Sequence, residues 1–139
     1  MTSVFHLCQG LLSILERSQN PSIVNVSSIY GLYGPDWRIY AETSMGNPAA
    51  YATSKGGLIQ FTRWLSTTIA PKIRVNCVAP GGIQNNQPKT FIQEYINRVP
   101  LKRMASPDDV ANTILFLASD LSNYITGQVI SVDGGWGTW

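Results

Sequence analysis

One histidine, His6, and two cysteines, Cys8 and Cys77, are all that 139 residues provide. A single histidine leaves no basis for a histidine-rich metal centre and argues against a Ser-His-Asp hydrolase. Two cysteines are too few for a disulfide framework and lack the spacing of a zinc site. No metal is therefore expected, both thiols read as buried and free, and the expected compartment is the reducing cytoplasm. Charge is scarce as well. Charged residues make up 13% of the chain, about half of the ~25% usual in soluble domains. Ten basic residues against eight acidic ones leave a net charge of +2, too weak and too dispersed to hold nucleic acid or an anionic membrane. No apolar run approaches the roughly 20 residues of a membrane span. The opening MTSVFHLCQGLLSIL is apolar but lacks a basic n-region and a small-residue cleavage site, so it reads as an ordinary helix.

What is present is hydrophobic: 44% of the residues in a mass of 15.3 kDa, one domain's worth of core. Low charge beside that content implies surface that is neutral or covered by a partner. Val4, Phe5, Leu7, Cys8, Leu11, Leu12 and Leu15 recur at helical steps over residues 2–17, with Thr2 or Ser3 as a candidate cap. Residues 22–27 form a β-branched run bounded by turn residues, a strand. Residues 30–48 hold Gly31, Gly34, Pro35, Gly46 and Pro48 and read as a long loop; long ordered loops tend to be functional. A helix is expected from about Pro48 to Ile69, a second strand over 73–78, a short helix over 89–98, and a helix from Ser106-Pro107-Asp108-Asp109 to about Ser119. A third strand spans 128–132, stopped by Asp133-Gly134-Gly135. Alternating helices and continuous apolar strands indicate an α/β fold with a parallel sheet covered on both faces.

Tyr51 and Lys55 lie four residues apart, one helical turn, so both project from one face. A phenol moves protons poorly at neutral pH unless a positive charge stands near it, which makes the pair a candidate acid/base unit. By itself Tyr-x-x-x-Lys is equally a tyrosine beside a solvated lysine. Its context adds weight. Ser27 and Ser28 end the first strand, where parallel sheets bind ligands, and Pro80-Gly81-Gly82-Ile83 ends the second. At such a turn, backbone N–H groups can approach a ligand closely.

SIVNVSSIYG, YATSKGGL, IRVNCVAPGGI and RMASPDDVANTILFLASDLSNYITGQVISVDGGW together resemble the short-chain dehydrogenase/reductase family across essentially the whole chain. The resemblance implies a Rossmann-like doubly wound parallel sheet, of which residues 1–139 would form a single partial domain, the C-terminal portion, with about three strands and flanking helices. It implies that Ser28 orients the substrate carbonyl or hydroxyl, that Tyr51 is the general acid/base and also contacts the cofactor, and that Lys55 lowers the Tyr51 pKa and hydrogen-bonds the nicotinamide ribose. Pro80, Gly81 and the Ile83 backbone would cradle the nicotinamide. The implied reaction is hydride transfer between NAD or NADP and a small-molecule carbonyl or hydroxyl. The implied assembly is a homodimer or homotetramer, with the first helix and the Tyr51 helix pairing across a two-fold axis.

Three departures accompany the match. The Gly-rich strand-turn-helix that opens the family is not found here, nor is its active-site asparagine, so the chain alone is expected to be inactive. Asn85 stands where many members have a cofactor-contacting threonine. Ser28 precedes Tyr51 by 23 positions, longer than usual, and the extra loop holds Trp37, Arg38, Tyr40 and Glu42, which suit a polar, sugar-like substrate. A dehydratase or epimerase using the same Tyr-Lys pair, and a non-catalytic or oligomerising fragment, stand as alternatives. His6 on the first helix, and Trp136 and Trp139 near the end, read as packing or subunit-contact residues.

Overall fold

The computed structural model describes residues 2–139. Helix α1 covers Thr2–Leu15, strand β1 Ser22–Val26, helix α2 Ala49–Ile69 and strand β2 Arg74–Pro80. Helices α3 (Lys89–Arg98) and α4 (Pro107–Ala118) follow, then strand β3, Val129–Val132. The sheet is parallel throughout, in the order β1-β2-β3, with Ser22 opposite Arg74 and Cys77 opposite Val129. β2 runs two residues beyond the sequence expectation because β3 continues to pair with it, Ala79 opposite Ser131 and Pro80 opposite Val132. Proline lacks a ladder N–H but is tolerated at a strand end.

Side chains alternate across the sheet with period two. Val75 and Ile23 meet α1 and α2 through Cys8, Leu65, Phe61 and Ile69. Val24 and Val78 face the other way, onto Val110, Ile114 and Leu117 of α4. Two polar anchors fix this sandwich. Asn25 Nδ2 donates to Thr62 Oγ1 at 2.9 Å, joining β1 to α2. Arg74 donates to the carbonyls of Leu117 and Ser119 at 3.0 and 3.1 Å, filling orphan acceptors at the end of α4. The expected start signal of α4 is a full capping box: Ser106 Oγ accepts from the Asp109 N–H, and Asp109 Oδ2 accepts from the Ser106 N–H.

The long loop after β1 is ordered by two short 3-10 turns, Ile29–Gly31 and Trp37–Tyr40. Asp36 caps the second by accepting from the Arg38 N–H. Ile39 and Tyr40 plug this turn into a third cluster with Phe91, Tyr95, Val99 and Met104. That cluster supports the region where β1 and β2 end.

Candidate functional site

At the end of β1 the chain is latched to α2. The Ser27 N–H continues the ladder to the Val78 carbonyl at 2.8 Å. Ser27 Oγ donates to the Lys55 carbonyl at 2.8 Å, and Lys55 Nζ donates back to the Val26 carbonyl at 3.0 Å. These reciprocal bonds hold the lysine against the strand end. Ser27, noted with Ser28 at the strand end but given no role of its own, thus ties β1 to α2 at Lys55. Its signal in the sequence was the paired serine at the strand end.

Ser28 is buried, and its Oγ accepts from the Tyr30 N–H at 3.2 Å. Among the described residues no acceptor takes its own O–H, so that proton is available. Tyr51 lies in the first turn of α2, where the Pro48 carbonyl accepts its N–H at 2.9 Å. Tyr51 is 41% exposed, the condition for a group that meets a ligand. Lys55 Nζ stands 5.6 Å from the centre of the Tyr51 ring. Ser28 and Tyr51 line one cleft of about 280 Å³, with Tyr30, Tyr40, Asn47 and Tyr95 among its walls.

Tyr30, Tyr40 and Tyr95 of that wall are bonded within the chain. Tyr30 and Tyr40 share a hydroxyl–hydroxyl bond of 2.7 Å, and Tyr95 Oη accepts the Gly82 N–H at 2.6 Å. Burial pushes Tyr30 well above the ordinary phenol range, reinforced by its bond to Tyr40, and burial also pushes Tyr95 up. Both stay neutral and serve as shape and polarity.

Pro80 ends β2, one strand over from Val26. Of the N–H groups in the turn after it, those of Gly81 and Gly82 are bonded within the chain, whereas among the described residues no acceptor takes that of Ile83. The Gly81 N–H bonds the Val132 carbonyl at 3.0 Å, and that of Gly82 is spent on Tyr95. A Cβ on Gly81 would lie 2.6 Å from Tyr95 Oη, and one on Gly82 would lie 2.9 Å from the Tyr95 ring. The close approach of Tyr95 thus accounts for both glycines. Ile83 bridges Ala105, and its carbonyl accepts from Gln87 Nε2 at 2.7 Å.

Trp37 and Arg38 do not join the cleft. They line a separate groove with Arg98, Trp136 and Trp139, where Asp36 pairs with Arg38 and Arg98 at 2.8 and 3.0 Å. Of the loop residues expected to meet a substrate, Tyr40 reaches the cleft and Glu42 is exposed. The cause is tertiary: Ile39 and Tyr40 are drawn into the α3 cluster, which turns Trp37 and Arg38 outward. A larger cavity of about 410 Å³ shares Gly81, Gly82 and Tyr95 with the cleft. Its charged groups are already committed: Arg103 to Asp109, and Asp133 to the Gly135 and Gly137 N–H groups. Cys8 and Cys77 are buried, which pushes both thiols up and keeps them protonated. His6 is exposed, packed edge-on to Phe5. Trp136 stacks on Tyr95 at 4.7 Å, whereas Trp139 is 82% exposed.

Residues 1–137 match the family model described as enoyl-(acyl carrier protein) reductase. The chain is 41% identical over 142 residues to the 3-oxoacyl-acyl-carrier-protein reductase FabG of Thermotoga maritima, covering 97% of this chain and 53% of that protein. It is 35% identical to the post-translational flagellin modification protein A of Campylobacter coli, over 93% of this chain and 51% of that one. Among solved structures, a short chain dehydrogenase from Leptospira borgpetersenii with bound NAD+ superimposes with a TM-score of 0.90 at 42% identity, over 98% of this chain and 52% of that one. The chain spans about half the length of the curated relatives it matches.

Proposed function

The chain belongs to the short-chain dehydrogenase/reductase family, and from that membership we propose that it contributes the substrate-side, C-terminal portion of an NAD(P)-dependent oxidoreductase, whose activity is a property of the full-length gene product. The observation that carries the reading is the cleft itself. It holds a buried serine hydroxyl with an uncommitted proton and an accessible phenol, with an ammonium pinned beside the phenol.

The donor set fits the ribose and nicotinamide end of a dinucleotide. Lys55 spends one N–H on Val26 and keeps two for ribose hydroxyls, while Tyr51 and the surface of the Pro80–Ile83 turn flank the same strand ends. Bound there, NAD(P)H supplies the hydride. Ser28 donates its free O–H to the substrate carbonyl oxygen and orients it. Tyr51 passes its proton to that oxygen as the carbon becomes tetrahedral. The Lys55 charge favours the phenolate left behind. In the oxidative direction the same groups act in reverse.

The wall of hydroxyl and amide groups favours a ketone carried on a polar skeleton. A 3-oxoacyl thioester fits this description and is in keeping with the names of several relatives. A sugar-like substrate shares the polarity, but Trp37 and Arg38, which suggested it, lie in the other groove. Phe5, Leu7, Leu11 and Ile14 of α1 are 40–62% exposed, beside Trp64 of α2 at 53%. This apolar surface supports assembly as a homodimer or homotetramer through these helices.

Tyr51→Phe in the full-length protein tests the reading. Only the hydroxyl is lost, so kcat should fall about 10²–10⁴-fold, the worth of a positioned acid/base, with NADPH affinity and melting temperature unchanged. Retention of most activity would refute it.

A further inference from the structure

Among the described residues one buried side-chain polar atom has no hydrogen-bond partner, Asn47 Oδ1. Native interiors rarely strand such an acceptor, and each instance calls for a cause. Asn47 lines the cleft that holds Ser28 and Tyr51. Its local outlets are closed. The next residue, Pro48, has no N–H to offer, and α2 starts with no side-chain cap bond. Asparagine before a helix ordinarily serves as a cap or turns back on its own backbone; here it does neither. Among the wall's tyrosines, Tyr30 and Tyr40 bond one another and Tyr95 accepts from the Gly82 N–H, and none of these hydroxyls makes a bond to Asn47 Oδ1.

We propose that Asn47 is a substrate-positioning residue whose amide oxygen accepts a hydrogen bond from a donor on the substrate, a hydroxyl or an amide N–H close to the reacting carbonyl. This rests on the oxidoreductase reading above and deepens it. Ser28 and Tyr51 address the carbonyl oxygen, and Asn47 reads a second group on the same molecule. A site built to bond such a donor discriminates strongly against an analogue that lacks it, because the buried acceptor is then left unpaired.

The test uses the full-length gene product and two matched substrate pairs. The S-acetoacetyl thioester of N-acetylcysteamine carries an amide N–H, and the S-hexyl thioester does not. Dihydroxyacetone carries hydroxyls, and 3-pentanone does not. Asn47→Leu removes both amide ends at similar volume. Its KM for the donor-bearing member of one pair should rise about tenfold or more, while the donor-free member and NADPH are unaffected. The pair that responds tells an amide source from a hydroxyl source. Asn47→Asp, which keeps an acceptor, should retain the preference for the donor-bearing member. The unliganded Leu variant should melt no lower than wild type, because no acceptor is stranded. Equal losses on both members, no change on either, or a lowered melting point with Leu overturns the proposal, as does an Asp variant that behaves like Leu. If the wild type turns over none of the four compounds, the oxidoreductase reading fails. The melting comparison then still decides whether Asn47 holds a spare acceptor.

Discussion

Replacing Gly31 by alanine should damage both stability and turnover, whereas the same change at Gly56, which faces it, should help. The 3-10 turn Ile29–Gly31 abuts the backbone of α2. A Cβ on Gly31 would sit 2.7 Å from the Lys55 carbonyl carbon, 2.8 Å from its oxygen and 2.9 Å from the Gly56 nitrogen. All three are backbone atoms and none can rotate away. Ordinary contacts lie at about 3.5–4.0 Å, so the turn and the helix must part by close to an ångström. Overpacking of this kind costs about 1–3 kcal/mol. The gap opens where Ser27 Oγ meets the Lys55 carbonyl at 2.8 Å, so the latch breaks and Ser28 moves away from Tyr51. A misplacement of about 1 Å at reacting groups costs on the order of 10²-fold in rate. Gly56 is the control. A Cβ there meets only the Gly31 carbonyl oxygen at 3.5 Å, and alanine in a helix interior gains about 1 kcal/mol over glycine. Urea unfolding at pH 7 reads the stabilities, and kcat/KM at saturating NADPH reads the geometry. A Gly31→Ala protein as stable and active as wild type, or a Gly56→Ala protein equally damaged, would refute the close-approach account.

Thr62→Val should destabilise the protein by about 1–3 kcal/mol in the same unfolding assay, because it strands the buried Asn25 Nδ2 now bonded to Thr62 Oγ1; a neutral result would show that Asn25 finds another acceptor. Asp36 is held down to about 2, first by its side-chain hydrogen bond from Arg38, with the Arg38 and Arg98 charges adding to it. Its folded value lies below the unfolded one near ~3.9, so its stabilisation is present above that value and is lost as pH falls through about 2. Asp36→Asn should therefore be less stable than wild type at pH 7 and converge with it towards pH 2; a difference constant with pH would exclude this carboxylate as the cause. Sedimentation of the full-length protein at micromolar concentration should show a dimer or tetramer, and Leu7→Glu with Ile14→Glu on the exposed face of α1 should dissociate it; a wild-type monomer would count against the helix-paired assembly.

Much of the architecture was legible along the chain because it is encoded locally. Three- and four-residue spacing marks α1 and α2, β-branched runs marked the strands, and Asn20-Pro21, Ala70-Pro71 and Pro80-Gly81 punctuated them. The capping box at Ser106 and Asp109 is a contact between residues three apart, so the sequence contains it whole. Tyr51 and Lys55 share a helix face for the same reason. Only the fold decided how those local pieces meet. The latch from Ser27 to Lys55 spans 28 positions, and the one from Asn25 to Thr62 spans 37. Neither leaves a periodic trace. The loop residues Trp37 and Arg38 are chemically suited to a substrate, yet packing of Ile39 and Tyr40 against α3 sends them to another groove. The glycines of the Pro80–Ile83 turn are plain in the sequence, but only the fold brings Tyr95, thirteen residues on from Gly82, against both of them. Asn47 lies in a loop with no periodic pattern, and only the folded arrangement shows its amide oxygen buried without a partner. Composition and spacing determine which residues can do chemistry, whereas burial and pairing across distant segments determine which of them are left free to do it.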